Sequence, residues 1–225
     1  MSTALARRVS AEFVGSGLLA ALVIGSGIAA QRLSPSDTGL QLLENAFATA
    51  LGLPILILLF IGISGAHFNP VISLVDAALG YRAWRDIAFY LPAQLVGCFA
   101  GAVLANLMFA GSPVSISATE RLTPATFLAE ALASAVLVLL VFVLVRSGRS
   151  ASVPWAVGAY IGAAYFFTSS TSFANPAITF GRMFSDTFAG IAPASVPGFI
   201  AAQLLGGVAG WALVRWFAPR HESTA

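Results

Sequence analysis

Two short triplets carry the polar groups with the most to say about chemistry: Asn69-Pro70-Val71 and, more than a hundred residues later, Asn175-Pro176-Ala177. Asn caps helices well, and Pro suits the first helical position, where its missing N–H is not needed, so Asn-Pro-small begins a helix compactly. The Asn side chain has two uses there. Its oxygen can cap the helix while its NH2 stays available as a donor, and the two roles are compatible. Other reactive groups are few. Glu12 and Glu130 lie inside apolar runs, where an ionisable group is costly unless it finds a partner. Glu44 falls near the end of such a run, as an interfacial residue or another paired one. His67, two residues before Asn69, reads as a hydrogen-bonding loop support or as a group facing a lumen. Hydroxyls at 168–172 would need a base to act as nucleophiles. His67 is the one histidine within the apolar segments, and no carboxylate lies near it in sequence, which argues against an intramembrane hydrolase. No enzyme chemistry, metal or cofactor is expected, and the single Cys98 reads as a small buried hydrophobe.

The elements that must hold these groups are membrane helices. With 58% hydrophobic and 9% charged residues, and a mean hydropathy of +0.89, the chain has too little polar surface to cover a soluble globule. Apolar windows long enough to cross a bilayer fall at 11–30, 40–62, 84–108, 125–145, 153–170 and 197–217. The first lacks a small-residue cleavage site and reads as a retained span. The fifth is the shortest and ends in the hydroxyl-rich stretch. Segments starting at Asn69 and Asn175 are too short to cross and fit re-entrant half-helices over 69–78 and 175–183. The tail 219–225 is too brief to plug anything.

Every cation is an arginine, and the arginines form no dense basic patch with interleaved aromatics, so no nucleic acid is expected. Topology accounts for them. With the N-terminus inside, Arg7, Arg8, Arg82, Arg85, Arg146, Arg149, Arg215 and Arg220 fall on the cytoplasmic side, and Arg32, Arg121 and Arg182 outside. That bias predicts both termini in the cytoplasm and a multi-pass protein, placed in a bacterial inner membrane. The half-helices then enter from opposite sides and meet near the midplane.

An internal repeat agrees. Ala93-Gln94-Leu95-Val96-Gly97 is echoed by Ala202-Gln203-Leu204-Leu205-Gly206, and Ala11-Glu12 by Ala129-Glu130. Three spans per half force the second copy to run upside down, which predicts inverted repeats at 1–112 and 125–225 joined by a linker at 113–124. Gly-x-x-x-Gly spacings at Gly97/Gly101, Gly158/Gly162 and Gly206/Gly210 permit close helix approach.

Ser64-Gly65-Ala66-His67-Phe68-Asn69-Pro70-Val71 resembles the first signature loop of the aquaporin (major intrinsic protein) family, and Ser172-Phe173-Ala174-Asn175-Pro176-Ala177 resembles the second. The resemblance covers essentially the whole chain. It implies an all-α membrane protein with six spans and two half-helices in a right-handed bundle, a homotetramer in lipid with one pore per subunit. It also implies that Glu12 and Glu130 bond backbone N–H groups of the loops leading into the half-helices.

The departure from the family pattern lies three residues after Asn175. Water-selective members carry Arg there, and this chain has Ile178. By the same matching, the other constriction positions fall on Ala163, on Ser172 and on Thr49, with Leu51 the alternative if a gap intervenes. Arg182, about one turn along the same half-helix, is expected to pair with Asp186 or to reach solvent. Small and apolar residues would then widen the constriction and leave cation exclusion to the half-helix dipoles. The resemblance implies a passive, aquaglyceroporin-like channel for small neutral solutes: metalloid hydroxides or methylated arsenicals, ranked first because the Arg-less constriction is similar to that of bacterial channels tied to arsenic handling, then glycerol-sized polyols and urea, with water. A secondary transporter and a strict water channel are the alternatives.

Overall fold

The computed structural model describes residues 2–218; Arg220 and the tail 219–225 lie outside the described residues. Among those described, the chain forms α-helices with short 3-10 turns and no strand: α1 (Thr3–Leu33), α2 (Thr38–Phe60), α3 (Pro70–Ala78), α4 (Trp84–Met108), α5 (Pro124–Arg146), α6 (Val153–Phe167), α7 (Pro176–Arg182) and α8 (Val196–Phe217). Apolar runs with no water to bond their backbone must satisfy it internally, and the helix does so within one segment. Five of them, α1, α2, α4, α5 and α8, are long and apolar enough to cross a membrane. The sixth, α6, has 15 residues, or about 22 Å at the helical rise.

Local chemistry sets the ends. Helix α1 starts well before residue 11, because Ser2 caps it by accepting the Leu5 N–H and Arg8 reaches Asp86 on α4 at 2.7 Å. At the end of α6, the Thr168 hydroxyl donates to the Ala164 carbonyl at 2.6 Å and its own backbone turns extended, so the helix stops at Phe167. The half-helices start as expected: Asn69 accepts the Val71 N–H, and Asn175 accepts those of Ala177 and Ile178.

Glycine brings the long helices together. A Cβ on Gly97 would stand 2.3 Å from the Phe13 carbonyl oxygen, and one on Gly101 2.1 Å from that of Gly17, so α4 packs backbone to backbone on α1. On the other side of the molecule, Gly206 and Gly210 do the same for α8 against α5, at 2.2 Å from the Ala131 oxygen and 2.6 Å from that of Ala135. Gly158 and Gly162 seat α6 on Ala50 and Pro54 of α2. Large apolar side chains such as Phe47, Leu51, Leu128 and Trp216 stay exposed, as a lipid-facing surface requires.

Candidate functional site

The loops entering α3 and α7 are held in a conformation they would not adopt alone. Ala66 and Phe68 (φ 50° and 48°) are left-handed, as are Ser172 and Ala174 (φ 52° and 47°). Each such non-glycine residue costs roughly 1–2 kcal/mol. Two buried carboxylates offset the cost. Glu12 accepts the Ser64 hydroxyl and the His67 N–H on one oxygen, and the Phe68 N–H and Gln94 amide on the other, at 2.6–3.0 Å. Glu130 accepts the N–H groups of Phe173 and Ala174 and the Gln203 amide, at 2.6–2.8 Å. Gln94 also donates to Ser73, and Gln203 to Thr179, so both glutamines tie carboxylate, half-helix and long helix together.

The half-helices meet start to start. The Asn69 side-chain nitrogen donates to the Ala174 carbonyl, and that of Asn175 to the Phe68 carbonyl, both at 2.8 Å. Each Asn oxygen caps its own helix. Each NH2 therefore has one hydrogen committed to the opposite loop and one with no acceptor among the described residues.

A single cavity of about 310 Å³ passes this crossing and collects Asn69, Asn175, Thr49, Ser172, Ile178 and His67 on its wall. Aliphatic side chains make up much of the rest, among them Val23, Leu53, Ile57, Leu137, Val157 and Ile161. Pro70, Val71, Pro176 and Ala177 are buried behind the wall, where Val71 fills the space over Gly207. Thr49, 1% exposed, reaches the Tyr165 hydroxyl at 3.2 Å, whereas Leu51 is 54% exposed. His67 holds both of its possible places. Its backbone bonds Glu12, while its ring lines the cavity, bonded to Ser73 at 3.0 Å and 3.8 Å from Asp76. Arg82, 3.6 Å from Asp76, completes that end of the passage. Glu44 accepts the Ser34 hydroxyl at the turn between α1 and α2.

Two expectations are corrected. The structure does not bring Ala163 to the cavity: it is exposed on α6, while Ile161 and Tyr165 line the wall. Residues four apart share a helix face, and a residue two positions from each points to the other side. Arg182 neither pairs with Asp186 nor reaches solvent. It is 3% exposed, lies on the cavity wall with its guanidinium carbon 3.4 Å from the Phe173 ring centre, and donates from Nε to the Ala189 carbonyl. Asp186 instead accepts the Ala118 N–H. The cavity wall therefore includes the Tyr165 and Phe173 rings and the Arg182 guanidinium, none of which sequence matching placed there. Helix phase puts Tyr165 on the same face as Ile161, and the sequence offers Arg182 a partner, Asp186, that it does not meet.

Comparison with known proteins agrees with this geometry. A family model described as Major intrinsic protein matches residues 1–172. Aquaglyceroporin AqpS of Rhizobium meliloti (strain 1021) is 49% identical over 212 residues, covering 94% of this chain and 90% of the relative. Propanediol uptake facilitator PduF of Citrobacter freundii is 34% identical over 109 residues, 48% of this chain and 39% of the relative. Among solved structures, the aquaglyceroporin from Plasmodium falciparum matches with a TM-score of 0.73 at 19% identity, covering 93% of this chain and 95% of that one.

Proposed function

The chain belongs to the major intrinsic protein family, whose aquaglyceroporin members are channels and not enzymes, and from that premise we propose a passive conduit for small uncharged molecules rich in hydroxyl groups. The amphipathic wall carries this reading. Thr49, Tyr165, Ser172, Asn175, Asn69 and His67 offer polar groups from end to end, against aliphatic faces from Leu53, Ile57, Val157 and Ile161. A polyol exchanges its hydration for those groups while its carbons rest on the apolar side. An ion finds no counter-charge at the Asn crossing and cannot recover its hydration energy. Glycerol and propanediol are the first candidates. Arsenous acid and methylated arsenicals, neutral and of similar size, extend the same class, and water accompanies them.

The reading includes two inverted halves, 1–112 and 125–225, joined at 113–124, with both termini in the cytoplasm of a bacterial inner membrane and four subunits each carrying a pore. The matching bond sets of Glu12 with Gln94 and of Glu130 with Gln203 support the repeat.

Light scattering from proteoliposomes tests the function. A hyperosmotic glycerol step should give shrinkage and then protein-dependent reswelling, and an arsenous acid gradient should collapse faster than in empty liposomes. Shrinkage without reswelling would mean a strict water channel. Uptake that saturates and follows an ion gradient would mean a transporter.

A further inference from the structure

We propose that Arg182 is the cation-excluding and solute-orienting residue of this passage, taking over from one turn further along α7 the role that Ile178 leaves empty. The proposal rests on the channel reading above.

Four observations carry it. Arg182 is 3% exposed as a whole residue, yet it belongs to the cavity wall together with Tyr165, Ser172, Phe173 and Ile178. Only Nε has a protein acceptor, the Ala189 carbonyl; the two terminal nitrogens have none among the described residues and are not sealed away from the cavity. No carboxylate pairs with it, because Asp186 is occupied by the Ala118 N–H and no ion pair forms at this end of the passage among the described residues. Its position is fixed from both sides, by the Ala189 carbonyl and by the Phe173 ring at 3.4 Å, which a second guanidinium, Arg121, approaches at 5.6 Å. Arg121 is itself pinned by the Gly190 and Phe188 carbonyls.

A buried positive charge with unused donors does two things in a narrow passage. It raises the barrier to any cation, because nothing nearby screens it. It also offers forked N–H donors to the oxygens of a neutral solute. Ile178, apolar and adjacent on the wall, does neither. The chain thus keeps a guanidinium at its constriction while leaving the turn nearest Asn175 open.

The test uses the full chain in proteoliposomes, with glycerol reswelling, methylammonium uptake and proton leak (internal pH dye, potential clamped with valinomycin) measured on the same preparations. Removal of a single charge a few ångströms from a permeating cation in a poorly screened site should raise cation passage by about tenfold or more. Arg182→Gln should therefore conduct glycerol and leak methylammonium or protons at least about tenfold faster than the parent, and Arg182→Lys should restore exclusion. Arg182→Met, of similar length and without a polar head to bury, gives the same reading where the Gln variant does not fold. A Gln or Met variant that passes glycerol and remains as tight to both cations as the parent would overturn the proposal. Failure of the parent itself to pass glycerol would sink the channel reading instead, so the two failures are distinguishable.

Discussion

Single residues in this chain do their work through hydrogen bonds that have no substitute in lipid. Each of the two intramembrane glutamates is fully buried and spends its oxygens on loop N–H groups and a glutamine. Replacing either carboxylate by an amide presents an NH2 group to donors that need an acceptor. Glu12→Gln and Glu130→Gln should each cost about 2–3 kcal/mol. That corresponds to a fall of roughly 5–10 °C in the unfolding midpoint in detergent. The similarity of their bond sets predicts similar falls, and a loss confined to one of them would mean that the halves are not equivalent. Arg182 shows the same economy: its charge is held by a carbonyl and an aromatic ring rather than by an acid.

Helices here owe their positions to missing side chains more than to present ones. Apolar driving force between helices is weak in lipid, so close approach and the dispersion it allows must supply the packing. Gly97 and Gly101 on α4, and Gly206 and Gly210 on α8, each face a backbone carbonyl of the partner helix at a distance no Cβ could share. Gly97→Ala and Gly206→Ala should each lower stability by about 1–3 kcal/mol, read as a drop in the detergent unfolding midpoint. Gly62, with nothing within 4 Å of where its Cβ would be, is the control and should tolerate Ala. Equal effects at all three sites would discount the packing explanation. The half-helices follow another rule, because their short length is made viable by Asn caps and by loops that Glu12 and Glu130 hold open.

For the whole molecule, orientation and passage are linked, since the end bearing His67, Asp76 and Arg82 must face one compartment and the end bearing Arg182 the other. In the proposed topology, drawn from the arginine bias, the His67 end faces the cytoplasm. In a Cys98→Ala background, a membrane-impermeant maleimide added outside intact cells should label Thr119→Cys, in the exposed linker before α5, and spare Ser150→Cys, in the exposed turn before α6. The opposite labelling would reverse the proposed topology.

The sequence by itself determined the membrane class, the half-helix starts at Asn69 and Asn175, the buried glutamates and the family. These follow from local rules: length against bilayer thickness, capping chemistry, and the cost of a charge in lipid. Ser172 and Ile178 could be placed by counting from Asn175, because loop and half-helix hold one spacing, whereas on α2 counting left Thr49 and Leu51 open and burial decided for Thr49. Counting failed at Ala163, where the phase of α6 decides which residue turns inward. It failed again at Arg182, because sequence offered Asp186 four residues away as a partner while folding brought Phe173 and the Ala189 carbonyl to the guanidinium. Which groups converge on the passage depends on helix rotation and on contacts between segments far apart in the chain, and only the tertiary structure decided those.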